Sequence, residues 1–130
     1  MKIEVSVGEL VDKVTILEIK LEKITNQEKL KNVRREYDLL RRSMESLGLT
    51  RESEEFRELK RINLKLWETE DLIRIKESQK RFDDEFIRLA RSVYFANDER
   101  SGIKRRINLA AGSKIIEEKE HAEYDRTESP

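Results

Sequence analysis

From Leu10 onward, apolar residues recur at steps of three and four, the spacing of one face of an α-helix. Leu10, Val14, Leu17, Leu21 and Ile24 mark a first helix. Leu30, Val33, Tyr37, Leu40, Met44 and Leu47 mark a second. The third runs from about Arg51 to Gln79, roughly 40 Å at 1.5 Å per residue, with Leu59, Ile62, Leu66 and Ile73 as its main stripe. Leu64, Leu72 and Ile75 fall on its opposite side, and a helix apolar on two sides sits between neighbours or at a subunit interface. Phe86, Leu89, Val93, Ala96, Ile103, Ile107 and Ala110 mark a fourth helix.

The punctuation between these stripes agrees with them. Ser6-Val7-Gly8-Glu9 and Thr25-Asn26-Gln27-Glu28 match capping boxes, with Ser6 and Thr25 as N-caps. The second box leaves almost no loop between helices one and two, which favours antiparallel neighbours. Gly48 is placed to end the second helix, Asp83 to cap the fourth, and Gly112 to follow it. Ile3, Val5 and Val7 alternate like a short extended strand. The expected fold is all-α: an elongated antiparallel bundle of about four helices. It has a short extended N-terminal segment, a single domain over residues 1–116 and an acidic, flexible tail over 117–130.

Composition narrows the function classes. Charged residues make up 43% of the 130 residues and apolar ones 36%, which suits long amphipathic helices better than a thick core. Net charge is zero, so nothing draws the whole chain to nucleic acid or anionic membrane. There is no cysteine for a disulfide, a thiol nucleophile or a thiolate zinc site. The first ten residues carry Glu4 and Glu9 and predict neither a signal peptide nor a membrane span, so the expected location is cytoplasmic.

One band of polar residues departs from the helical norm. Beside the apolar stripe of the fourth helix run Tyr94, Asn97, Asp98, Ser101, Lys104, Arg105 and Asn108, and the stripe itself lands on Arg100. Polar atoms buried beside a core need partners, because each one left unpaired costs roughly 1–3 kcal/mol. Glu18 is the first expected partner of Arg100, with Asp98 and Glu70 as alternatives. Asn63, Trp67, Glu70 and Arg74 on the third helix are placed to join the band. Glu70 and Arg74 are also spaced as an ordinary exposed i,i+4 pair. A polar layer that fixes helix register is the preferred reading, and a ligand or partner site is the functional one.

Enzyme chemistry finds little support. His121 is the only histidine and lies in the acidic tail, away from any triad or histidine-rich metal site. Glu9-x-x-Asp12 and Glu68-x-x-Asp71 resemble the paired carboxylates with which all-helical nucleotide pyrophosphatases hold Mg²⁺. Their spacing along the chain does not suit that family. No glycine-rich phosphate loop is present and no cofactor is expected. Residues 86–106 carry six basic and two acidic residues, a net of +4, whereas residues 117–130 carry six acidic and two basic, a net of −4. A solvated face explains the basic stretch better than nucleic-acid binding.

The runs VSVGELVDKVTILEIKLEKI, NVRREYDLL, INLKLWETEDLIR and FIRLARSVYFANDERSGIKRRIN resemble a small bacterial and viral family known only as a domain of unknown function. The likeness spans residues 3–124. It implies a short helical protein, sometimes attached to or encoded near glycan-synthesis proteins, and it assigns no catalytic residue. The family pattern usually closes on a Lys-Ser-Tyr segment, where this chain reads KEHAEY. The expected function is a non-catalytic helical interaction or accessory module, a homo-oligomer that engages another protein. The alternative is a small enzyme acting on an anionic or phosphorylated small molecule, Mg²⁺-dependent or using an arginine-lined site.

Overall fold

A computed structural model describes all 130 residues. The chain forms four helices, α1 (Val7–Lys23), α2 (Gln27–Ser46), α3 (Glu54–Ser78) and α4 (Asp84–Ala111), with no strand. The Ile3-Val5-Val7 alternation therefore does not mark a strand. Ile3 and Val5 are exposed, and neither makes a backbone hydrogen bond.

Local chemistry sets the helix ends. Ser6 Oγ accepts the Glu9 N–H at 3.1 Å, which is half of the expected box. The Glu9 carboxylate turns away and binds Lys104 on α4 instead. The cap of α2 is Asn26 rather than Thr25, its side chain accepting the Lys29 N–H at 3.0 Å. α3 starts three residues later than expected, at the Ser53 cap. Asp83 caps α4 by accepting the Phe86 N–H at 3.0 Å. After α2, Gly48 adopts φ 80°. Its N–H reaches the Glu45 carbonyl and the Leu49 N–H reaches the Met44 carbonyl, a Schellman turn that folds Leu49 back onto the core.

α1 is the hub. It approaches each of the other helices, α2 approaches only α1, and α3 and α4 pair along most of their length. Eight of the 17 residues of α1 are buried, against three of the 20 in α2. Val14 and Leu17 of α1 meet Leu59 and Ile62 of α3, Met44 of α2 and Ile103 and Ile107 of α4 in one continuous core. Val11 and Phe56 belong to this core although no stripe predicted them. Leu47 and Ala110, both expected inside, are exposed, Leu47 because it caps α2 and Ala110 because α4 there has run past the start of α1.

The close approach of α1 to α4 depends on Gly8. Its N–H donates to Asn108 Oδ1 at 2.6 Å, and a Cβ on it would lie 2.5 Å from the Lys104 carbonyl oxygen. That carbonyl is helix backbone and cannot swing aside. At the far end the molecule thins. No residue from Glu70 to Phe95 is buried, so the last turns of α3 and the first turns of α4 form a two-helix arm. Lys76 ties its tip by binding Asp83 at 2.9 Å and Glu85 at 3.2 Å.

Gly8→Ala is expected to cost about 1–3 kcal/mol, the usual range for overpacking, despite alanine's better helix propensity. Urea unfolding measures it, and a variant as stable as the parent would show that the α1–α4 contact yields without loss.

Candidate functional site

Seating α1 among the other three helices traps polar side chains. Asp12, 1% exposed, Thr15 and Glu18 all lie inside the bundle. Each is satisfied from another helix or from its own backbone, and no side-chain polar atom fully shut off from water is left without a partner.

Asp12 is held by a two-pronged guanidinium. Arg100 Nε donates to Oδ1 at 2.9 Å, and a terminal N–H of Arg100 donates to Oδ2. Asn63 Nδ2 donates to Oδ1 at 2.8 Å and to Thr15 Oγ1 at 2.9 Å, and Thr15 Oγ1 donates to the Asp12 carbonyl. One network thus joins α1, α3 and α4. The bond to Asp12 raises the Arg100 guanidinium above its ordinary value, against the opposing effect of burial.

Arg100 is half-buried as expected, but its partner is neither Glu18 nor Asp98 nor Glu70. α1 runs antiparallel to α4, with Gly8 level with Asn108, and that register brings Asp12 opposite Arg100. Glu18 lies six residues further along α1, about 9 Å away along the axis.

Glu18 has its own cluster. Its carboxylate accepts from Arg51 Nε at 2.7 Å and a terminal Arg51 N–H at 2.8 Å, from Lys60 Nζ at 2.7 Å and from the Tyr37 hydroxyl at 3.1 Å. Burial pushes this carboxyl up, but the bonds from Arg51 and Lys60 outweigh it and hold the group at about 2. Burial and the Glu18 charge raise the Tyr37 phenol. Sequence reasoning passed over Arg51, Lys60 and Tyr37. The only signal for them was the need of a buried carboxylate for cations, and 28 lysines and arginines offered too many choices.

The rest of the α4 band faces the C-terminal segment, which runs back along the helix. Lys104, 8% exposed, binds Glu9 at 2.7 Å and Glu117 at 3.0 Å. Arg105, exposed, binds Glu118 at 2.8 Å. Asp98 accepts from the Tyr124 hydroxyl and from Arg126 at 3.1 Å, and these bonds, Tyr124 first, lower its carboxyl below the usual range. Tyr94 is exposed and meets Tyr124 edge-on, while Asn97 is half-buried.

Between α4 and residues 117–119 lies a cleft of about 310 Å³ with no hydrophobic lining, floored by Ser101, Gly102, Arg105 and Asn108. Gly102 sits in mid-helix with nothing within 4 Å of where a Cβ would be, so neither crowding nor an unusual φ requires it. A glycine there costs about 0.5–1 kcal/mol relative to alanine.

Not every expected member joins. Asn63 does, through Asp12. Trp67 is half-buried on α3 outside the network, and Glu70 and Arg74 are exposed with no ion pair between them. These two lie in the arm, beyond the end of α1. The carboxylate pairs do not converge either. Glu9 is spent on Lys104 and Asp12 on Arg100, Glu68 lies 3.9 Å from Lys23, and Asp71 is exposed. No group of three or more metal-ligating side chains forms. No helix is long and apolar enough to cross a membrane.

The whole chain, residues 1–130, matches a family model described as Family of unknown function (DUF6165). No curated protein and no solved structure matches it.

Two outcomes test the buried charges. Asp12→Ala, which strands Arg100, is expected to cost about 3 kcal/mol, the low end for a broken buried pair because Arg100 keeps some contact with water. Asp12→Leu with Arg100→Met restores much of that loss, and a double-mutant cycle with zero coupling would separate the two residues. Glu18 is ionised in the fold down to about pH 2 against an ordinary value of 4.5, so its contribution is complete above pH 4.5 and is lost as pH falls toward 2. Glu18→Gln therefore loses stability above pH 4.5 and shows a shallower decline than the parent below it, as denaturant midpoints across that window would record.

Proposed function

We propose that this chain, which belongs to that family of unknown function, is a non-catalytic helical interaction module that associates with a second copy of itself through the α3–α4 arm. The observation that carries this reading is the arm's composition. It buries no residue over Glu70–Phe95, yet Leu72, Ile75, Phe82 and Ile87 are each about half exposed there. Apolar side chains gathered at one end of a chain this polar mark an interaction surface. Over Glu70–Phe95 the arm carries six acidic and six basic residues, a balanced mixture that is compatible with an identical surface and repels neither sign. Leu64, half-buried at the base of the arm, continues the same side of α3.

Nucleic acid is a poor partner because acidic residues of the C-terminal segment already neutralise much of the basic face of α4. The glycan-synthesis context implied by the sequence resemblance would supply one class of larger assembly for such a module to join.

Light scattering at micromolar concentration is expected to give a mass above the 15.5 kDa of one chain. Leu72→Glu with Ile75→Glu is expected to return it to a monomer with the denaturation midpoint of the monomeric bundle unchanged. A parent protein that is monomeric throughout that range overturns the self-association.

A further inference from the structure

The cleft between α4 and the C-terminal segment carries three features that the interaction module does not use. Two of its donors have no partner within the chain. Asn108, 2% exposed, spends its Oδ1 on the Gly8 N–H, and its Nδ2 makes no hydrogen bond within the chain. The Ser101 hydroxyl likewise makes none, and Lys104 and Arg105 bring two positive charges to the lining of the same cleft. Next, the floor holds Gly102, a mid-helix glycine that no backbone angle and no neighbouring atom demands. Leaving out a side chain there keeps the helix surface open to close approach from the cleft. Finally, the groups that now answer these donors are carboxylates of the chain itself. Glu117 sits on Lys104 and Glu118 on Arg105, two anionic groups that are adjacent in sequence.

We propose that this cleft is a binding site for a small polyvalent oxyanion, a ligand with two anionic groups such as a diphosphate, and that Glu117 and Glu118 occupy it in the ligand's absence. The ligand's oxygens take the places of the two carboxylates on Lys104 and Arg105, Ser101 and Asn108 Nδ2 donate to it, and it lies over Gly102. Lys104 is held in place throughout by Glu9 on α1, so the site keeps its buried cation when the tail withdraws. Arg105 has Glu118 as its ion-pair partner and becomes free for the ligand when Glu118 leaves. The tail thus competes with the ligand at high effective concentration, since it is part of the same chain.

Inorganic pyrophosphate is the probe, titrated calorimetrically into the full-length protein. Glu117→Gln with Glu118→Gln keeps the tail's length but removes the competing charges, and it is expected to bind pyrophosphate at least about tenfold more tightly than the parent. Adding Arg105→Gln to that variant is expected to lose most of the gain. Gly102→Leu is the sharper control. Nothing lies within 4 Å of the new Cβ, and a mid-helix glycine is itself unfavourable, so the melting temperature holds or rises while binding is lost. Failure of the double glutamine variant to bind pyrophosphate any better than the parent overturns the proposal. So does binding that survives both Arg105→Gln and Gly102→Leu. Citrate in place of pyrophosphate distinguishes a carboxylate ligand from a phosphate one. Because the self-association test reads mass and this one reads heat of binding at the other end of α4, failure of either leaves the other standing.

Discussion

The constraint on which the structure depends is the burial of a charged helix. α1 lies among the other three helices and carries Asp12, Thr15 and Glu18 into the interior with Val14 and Leu17. A buried carboxylate without a partner costs several kcal/mol, so the surrounding helices must arrive with their cations at the right height. Arg100 from α4 meets Asp12, and Arg51 and Lys60, before and on α3, meet Glu18. Apolar packing alone would tolerate a slide of one helix past another by a turn. The two carboxylates do not, because the guanidinium fork and the Asn63 amide fit in one register.

Gly8 works at the same contact by a different means. It lets α1 come close enough for its own N–H to reach Asn108 and for Glu9 to reach Lys104. Close approach and charge pairing reinforce each other there. The shorter the distance between the helix axes, the less water remains to screen the ion pairs, and the better the pairs hold the helices together.

The two ends of the molecule therefore differ in kind. Around α1 both buried carboxylates are matched, and the register is fixed from three sides. Beyond α1, the arm is two helices deep, and two helices cannot enclose a core. Its apolar residues stay half exposed unless something covers them. The C-terminal segment lays acidic residues back along α4 as far as the base of the arm, where Arg91 donates to the Glu128 carbonyl, which accounts for how stretches of opposite charge coexist in a chain with no net charge.

Much of this was legible in the sequence. Apolar spacing gave four helices because the 3.6-residue period is a local property, and the caps at Ser6 and Asp83 and the turn at Gly48 are local as well. The polar band of α4 and the half-burial of Arg100 followed from the same period. Thr25 lost its place to Asn26 by one residue, because both side chains suit a cap and only the chain's path between α1 and α2 chooses. What the sequence by itself determined is which residues share a helix face. Which carboxylate meets which cation was decided only by tertiary structure, because that depends on the relative height and direction of helices far apart in the chain. Asp12 and Arg100 are separated by 88 residues, and Glu18 and Arg51 by 33. With equal numbers of both charges to choose from, only the antiparallel seating of α1 on α4, set at Gly8, singles out Asp12 for Arg100 and leaves Glu18 to Arg51 and Lys60.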